Sequence, residues 1–287
     1  MTASRGRTIA LLGHPVAHSL SPHFQQAALD AAGVDARYEA WDTLPASLPQ
    51  AVERLRSAGL LGANITVPHK VEALRLIDRP DALAELVGAV NTITNRDGLL
   101  YGTNTDVHGV LQSLEDGGVE IAGRTVLLIG AGGAARAVVV AMRQGRAGAL
   151  TIANRTEARA HDVASAAGDE LPVAVCPLDP STTPFQEAMA RSELVIHSTS
   201  LGMRNGPDEQ ATAVPAELFR AGQTAFDLVY TPERTPFLQA AERAGARTIG
   251  GLSMLVHQGA ESFRLWTGEQ PPLDVMFEAA RTASTGT

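Results

Sequence analysis

The sequence predicts an α/β protein of two domains, each with helices packed on a sheet. Three observations carry that reading. Short apolar runs alternate with longer helical patterns along the chain, as in a sheet whose strands are joined by crossover helices. The length, 287 residues, is about twice that of one ordinary domain. Midway, a continuous apolar strand runs into a glycine-rich turn and a helix, and a second βα series begins there.

The first strands are Thr8–Leu12, Arg37–Trp41 and Ala63–Val67, with helical patterns over Pro22–Ala32 and Leu48–Ala58, the latter stopped by Gly59. Pro68 ends the third strand because proline cannot donate to the ladder. A hairpin follows, from Ala89–Thr94 through Asn95-Arg96-Asp97-Gly98 to Leu99–Tyr101, since Asp-Gly accepts the positive φ of such turns. In the second series the strands are Thr125–Ile129, Ala149–Ala153, Val173–Val175, Leu194–His197, Thr224–Val229 and Arg247–Ile249. Residues 251–276 read as helix, with Leu252, Leu255, Val256, Ala260 and Phe263 on one stripe, and Arg281–Thr287 reads as a frayed polar tail.

Charge argues about partners. Lys and Arg number 23 against 31 Asp and Glu, a net of −8, which opposes binding to nucleic acid or an anionic membrane yet allows a small anionic ligand. With 45 % hydrophobic and 19 % charged residues, the chain fills cores and is not disordered. Cys176, the single cysteine, excludes an intramolecular disulfide and reads as a small core residue. After Arg5 and Arg7 the apolar run Ile9-Ala10-Leu11-Leu12 is too short for a signal peptide, and no run approaches the ~18 residues of a membrane span. A cytoplasmic location is expected. His14, His18 and His23 have helical spacing broken by Pro15 and Pro22, so no metal set is expected.

Gly130-Ala131-Gly132-Gly133-Ala134-Ala135 stands between strand Thr125–Ile129 and the helical run Ala135–Met142. This is G-x-G-x-x-A where a dinucleotide site needs it: a tight turn at Gly130, close backbone approach at Gly132, and a small residue between helix and strand. Proteins that select NAD place Asp or Glu about 20 residues on, against the ribose 2′-OH. Here that position is Asn154, followed by Arg155, Thr156 and Arg159. If Thr156 starts a helix, both guanidinium groups can flank one phosphate, which favours NADP.

Four polar patches lie at ends of first-domain strands: His18-Ser19-Leu20-Ser21-Pro22, Asn64-Ile65-Thr66-Val67-Pro68-His69-Lys70, Gly88-Ala89-Val90-Asn91-Thr92 and Gly102-Thr103-Asn104-Thr105-Asp106. Hydroxyls, amides, one ammonium and one carboxylate suit a small polyhydroxylated acid. Singly, each has a bland account: Ser21-Pro22 as an N-cap with proline in the first turn, Asn91 and Asn104 as turn residues, Lys70 as a solvated lysine.

Taken together, HSLSP, GANITVPHK, GAVNT and NTD, followed by GAGGAAR, NRTEAR, DLVY and GLSMLVHQ, resemble the shikimate dehydrogenases from about Ile9 to Trp266. The resemblance implies NADPH-dependent, reversible reduction of 3-dehydroshikimate to shikimate in aromatic amino-acid biosynthesis. It implies a substrate domain of residues 1–105 and 251–287, whose C-terminal helices pack back on it, and a Rossmann-type doubly wound NADP domain of residues 106–250. By motif, Lys70 and Asp106 are the catalytic pair, and Ser19 and Ser21 bind the substrate carboxylate. Thr66, Asn91, Tyr230 and Gln258 complete the substrate pocket. Gly130, Ala131, Gly132, Gly133, Ala134, Asn154, Arg155, Thr156, Arg159, Leu228 and Gly251 form the cofactor site.

A ketone being reduced gains negative charge on oxygen, so a nearby ammonium lowers the barrier by donating a proton. The chain departs from the family pattern at Gln25 and Gln26, where many members carry His and Asn; a glutamine does not titrate near neutral pH. The alternatives are a quinate/shikimate or aminoshikimate dehydrogenase, opposed by Arg155/Arg159 and Ser19, and a non-catalytic NADP-sensing regulator, opposed by the presence of Lys70 and Asp106. The family contains monomers and homodimers.

Overall fold

A computed structural model describes residues 6–286; Arg5 and Thr287 lie outside the described residues. The chain divides into two compact units, Met1–His108 with Val256–Thr287, and Gly109–Leu255.

The first unit begins β1 (Arg7–Gly13), α1 (Ser21–Ala31), β2 (Ala36–Asp42), α2 (Leu48–Arg54) and β3 (Leu60–Ile65). It continues α3 (Lys70–Ala73), β4 (Arg79–Pro80), α4 (Ala82–Val87), β5 (Thr92–Arg96) and β6 (Leu99–Thr103). Its sheet has the order β2-β1-β3-β5-β6-β4. β1 is parallel to both β2 and β3, whereas β5 runs antiparallel between β3 and β6. Ala10, Leu12, Val52, Leu55, Ile65, Ile93 and Leu100 form part of one buried cluster on it. Asp97 and Gly98, both at positive φ, make the hairpin turn.

The chain passes into the second unit within α5 (Asp106–Asp116). There follow β7 (Thr125–Ile129), α6 (Gly133–Gln144), β8 (Ala149–Asn154), α7 (Glu157–Ala164), β9 (Val173–Pro177), α8 (Thr183–Arg191), β10 (Leu194–His197), β11 (Thr224–Asp227), α9 (Pro236–Arg243) and β12 (Arg247–Ile249). All pairs are parallel in the order β12-β11-β10-β7-β8-β9, so the winding reverses between β7 and β10. Val126 through Ile129 are fully buried, which is why β7 reads as an uninterrupted apolar run. Burial also pushes the Cys176 thiol up, which suits a packing role.

The chain leaves this unit within α10 (Gly251–Thr267) and ends in α11 (Leu273–Gly286). The C-terminal part of α10 and all of α11 belong to the first unit, where α11 packs on α1. The Trp266 indole donates to the Ile93 carbonyl at 2.9 Å, and the Gln25 amide donates to the Gly259 carbonyl at 2.9 Å.

Three local expectations are corrected. β3 stops at Ile65, not Val67, because the His69 N–H closes a turn on the Thr66 carbonyl and leaves Val67 64 % exposed. Residues 251–276 form two helices, broken where Gly268 takes positive φ ahead of Pro271 and Pro272. The tail expected to fray is helical through Gly286, held by the buried stripe Met276, Ala280 and Ser284 at i, i+4 and i+8. Among the described residues no helix is long and apolar enough to cross a membrane.

Candidate active site

Lys70 is the first residue of α3, directly after β3 and its turn. The preceding His69 is buried, and its Nε2–H donates to the Thr43 carbonyl at 2.7 Å, anchoring the loop that carries Lys70. Asp106 opens α5, and its N–H is capped by Asn104 Oδ1 at 3.1 Å. Lys70 Nζ donates to Asp106 Oδ2, with the two side chains only 14 % and 4 % exposed. Asp106 Oδ1 accepts from Asn91 Nδ2 at 2.9 Å. Both carboxylate oxygens therefore face donors, and the ammonium keeps a narrow exposed side.

Asn91 is the hub. Its Oδ1 accepts from the Thr105 N–H at 2.7 Å and the Thr92 hydroxyl at 3.0 Å. Its Nδ2 also reaches Thr105 Oγ1 at 2.9 Å and Gln258 Oε1 at 3.2 Å. The sequence-predicted residues Lys70, Asp106, Asn91 and Gln258 thus meet in one network. Thr66 stands close by in sequence, half-buried at the β3 end, and no hydrogen bond of its hydroxyl occurs among the described residues.

Sequence reasoning missed the layer beneath. Asn64 Nδ2 donates to the Asn91 carbonyl at 3.1 Å, to Thr92 Oγ1 at 3.2 Å and to Ser262 Oγ at 3.1 Å. Ser262 also meets Thr92 at 2.8 Å and Thr105 at 3.1 Å. A fully buried serine four residues after Gln258, on a helix face otherwise apolar, was the available signal. Tyr38 donates to Asn64 Oδ1 at 2.7 Å, and burial pushes its hydroxyl far up, so it remains a donor. Ser21 hydrogen-bonds Tyr38, which joins the serine segment to the same network.

The serine segment also carries a correction. Ser21 is not the N-cap of α1: Leu20 is, without a side-chain cap, and Ser21 is the first helical residue, with Pro22 next. Ser19 Oγ accepts the Ser21 N–H at 3.2 Å, so it is Ser19 that satisfies a helix-start donor. Ser19 is half-buried and its hydroxyl proton remains available.

In the second unit the loops after β7 and β8 lie side by side, since the Gly130 N–H donates to the Ala153 carbonyl at 2.8 Å. Gly130 has φ +103°, and a Cβ there would come within 2.7 Å of Thr199 Cγ2. Gly132 and Gly133 differ: a Cβ on Gly132 would meet only the Ser198 carbonyl, at 3.9 Å, and one on Gly133 nothing within 4 Å. The protein's own packing does not require these two glycines. α6 starts at Gly132 without a side-chain cap, so Gly133 and Ala134 begin a helix whose first N–H groups and dipole suit an anion. Ala131 lies half-buried between them and β7.

Asn154 ends β8, and its Nδ2 donates to the Thr156 carbonyl at 2.9 Å, shaping the turn into α7. Thr156 is the N-cap of α7, so the helix start assumed for the arginine pair is present. Arg155 and Arg159 flank it, both exposed and without an ion-pair partner among the described residues. Leu228 follows β11, and a Cβ on Gly251 would stand 2.5 Å from its carbonyl oxygen, so no side chain fits there. Tyr230, two residues on, is the predicted substrate residue carried by this unit; burial pushes its hydroxyl up.

A doubly wound sheet with a glycine loop at its switch point, in one chain with a unit presenting a lysine–aspartate pair, defines a two-unit oxidoreductase that uses a nicotinamide dinucleotide. Three family models match: the shikimate dehydrogenase substrate binding domain over residues 11–93, shikimate / quinate 5-dehydrogenase over 113–208, and the shikimate 5′-dehydrogenase C-terminal domain over 251–281. The shikimate dehydrogenase (NADP(+)) of Moorella thermoacetica is 46 % identical, with 96 % of this chain and 92 % of that protein covered. That of Symbiobacterium thermophilum is 44 % identical, covering 98 % and 96 %. The crystal structure of shikimate 5-dehydrogenase from Thermus thermophilus in complex with NADP(H) and shikimate superposes with a TM-score of 0.86 at 40 % identity, covering 96 % of this chain and 99 % of that one. The chain belongs to the shikimate dehydrogenase family.

Proposed function

We propose that this chain reduces 3-dehydroshikimate to shikimate with NADPH, reversibly, and that Lys70 and Asp106 are its catalytic pair. The observation that carries the reading is the buried Lys70–Asp106 contact, held by Asn91, in a chain of this family. NADPH, when bound, supplies the hydride. Gly132 and Gly133, whose missing side chains answer to nothing inside the protein, would hold its pyrophosphate, and Arg155 and Arg159 would hold its 2′-phosphate.

Lys70 Nζ donates a proton to the carbonyl oxygen as that oxygen gains charge, and water reprotonates the lysine through its exposed side. Asp106 orients the ammonium and accepts a hydrogen bond from a substrate hydroxyl. Ser19 and Ser21 donate to the substrate carboxylate, while Thr66, Asn91 and Gln258 hold the remaining oxygens; Tyr230 is the candidate substrate residue of the second unit. Leu228 and Gly251, packed closely together, would offer the nicotinamide an apolar surface.

The test is spectrophotometric: NADP reduction with shikimate, beside quinate as substrate and NAD as cofactor. Shikimate with NADP should exceed both substitutes in kcat/KM. A preference for quinate, or for NAD, would overturn the assignment.

A further inference from the structure

His197 and Asp227 end the adjacent strands β10 and β11, and both side chains are fully buried, 0 % exposed. His197 Nδ1 lies 2.8 Å from Asp227 Oδ1, which also accepts the Val229 N–H at 2.9 Å. Asp227 Oδ2 accepts the Thr235 hydroxyl at 2.5 Å. The carboxylate is an acceptor throughout, so the imidazole carries its proton on Nδ1. In the neutral imidazole Nε2 is then an acceptor 2.5 Å from the Thr199 hydroxyl, whose oxygen in turn accepts the Leu201 N–H at 3.2 Å. One tautomer satisfies every group, and it fixes the Thr199 rotamer.

That rotamer matters because it sets the Thr199 methyl beside the Gly130 turn, where a side chain on Gly130 would meet Thr199 Cγ2 at 2.7 Å. On the other side, the Leu228 N–H donates to the His197 carbonyl at 2.9 Å, and Asp227 directs Val229 between Leu228 and Tyr230. His197 is paired in register with Ile129 on β7, one residue before Gly130, at the switch point of the sheet. Phe237 stacks on the imidazole at 5.0 Å, closing it off. For packing alone, apolar residues of the same volume serve as well as a buried ionic pair.

We infer that His197 and Asp227 are positioning residues of the cofactor site, setting the Gly130 turn through Thr199 and the Leu228–Tyr230 segment through the backbone. The inference rests on the NADP reading above.

The experiment is equilibrium binding of NADPH, followed by its nicotinamide fluorescence, with melting temperature measured beside it. His197→Asn keeps an N–H for Asp227 but cannot reach Thr199, and Thr199→Val keeps the methyl under Gly130 but loses the hydroxyl. Each should raise the NADPH Kd about five- to tenfold, the range for one hydrogen bond lost. The double variant should be no weaker than the weaker single one, because both act along one path. A purely structural role would lower the melting temperature and leave Kd alone. Wild-type Kd in either folded variant, or losses that multiply in the double, would overturn the inference. Should His197→Asn fail to fold, Thr199→Val decides by itself. A wild-type chain that binds no NADPH overturns the functional reading and this inference with it; wild-type binding with unaffected variants overturns the inference alone.

Discussion

Replacing Asp106 with asparagine looks mild, but the geometry makes it severe. Oδ1 faces the Asn91 amide N–H and Oδ2 faces the Lys70 ammonium, both donors. An asparagine amide turned either way sets its own NH2 against one of them. Asn91 cannot flip in response, since its Oδ1 already accepts from the Thr105 N–H and the Thr92 hydroxyl. A buried donor left facing a donor costs about 1–3 kcal/mol, and losing the charge-assisted bond to Lys70 about 1.5–3 more. Lys70 is 14 % exposed, so water recovers part of the second term. A net loss of about 3 kcal/mol should lower Tm by roughly 6–12 °C at ~2–4 °C per kcal/mol. Steady-state kinetics should show kcat for shikimate falling and KM rising together, while NADPH binding, a property of the other unit, keeps its Kd. Calorimetry and fluorescence titration on the same preparation check both halves. An Asp106→Asn enzyme with wild-type Tm and kcat would show that the two oxygens do not both answer to donors, and the account of the pair would fail.

Lys70→Ala should lower kcat by about 10² or more, the scale of a lost general acid, with the NADPH Kd again intact; near-normal turnover removes Lys70 from the reaction. Arg155→Ala should raise KM for NADP by about ten- to a hundredfold, from a charge-assisted bond of about 1.5–3 kcal/mol, and leave KM for NAD nearly unchanged; equal weakening toward both would sink the phosphate clamp. Ser19→Ala should raise KM for shikimate and also lower Tm slightly, because Ser19 Oγ accepts the Ser21 N–H at the start of α1; an unchanged KM would remove Ser19 from the carboxylate site. Asp78 accepts from Arg56 and from the Leu100 N–H, contacts that hold its carboxyl below the usual carboxylate range. Its contribution to stability is present above the ordinary carboxylate pKa and is lost as pH falls through the depressed one, so Asp78→Asn should flatten the acid limb of stability against pH. An acid limb of wild-type steepness in that variant would show that Asp78 contributes nothing to it.

What could be read in advance was what the chain requires locally. β7 was bounded residue for residue because a strand covered on both faces is apolar throughout. Asp97-Gly98 marked the hairpin turn because its positive φ angles restrict residue choice, but Asn95 and Arg96, expected in the turn, pair with Leu100 and Leu99 as part of β5. Helices α3, α4, α8 and α9 are short, and their apolar positions meet surfaces from distant parts of the sequence, so periodicity alone does not mark them. The bland account of Ser21 as an N-cap fails, since the cap position falls on Leu20 and Ser21 is already helical. The two glutamines that depart from the family pattern have structural occupations: Gln26 takes the Tyr38 N–H and donates to Asp30 and the Ala36 carbonyl, tying α1 to β2. Gln25 holds the Gly259 carbonyl, and its Oε1 is buried without a partner among the described residues.

The same distinction separates the glycine loop of the second unit from the Lys70–Asp106 network of the first. The glycine loop is built from backbone, so its demands fall on consecutive residues, and glycines at 130, 132 and 133 declare them even in a single sequence. The Lys70–Asp106 network is built from side chains on or next to β3, α3, β5, α5 and α10, and the bond from Asn91 to Gln258 spans 167 positions. Asn64, Thr92 and Thr105 lie in the polar patches but carry no assigned role there, and Ser262 is an isolated polar residue on an apolar helix. They become a site only because the C-terminal part of α10 lies in the first unit and brings Ser262 among three hydrogen-bonding neighbours already facing one another. A buried polar network is tolerated only when every member is satisfied, so the requirement that fixes these residues is collective. It follows that substitutions in this layer should act together: Ser262→Ala and Thr92→Val made in one chain should cost less than the sum of the two alone, since each leaves the other's hydroxyl partner already lost. Chemical denaturation of the two single variants and the double measures the difference, and strictly additive losses would mean that these hydroxyls act independently.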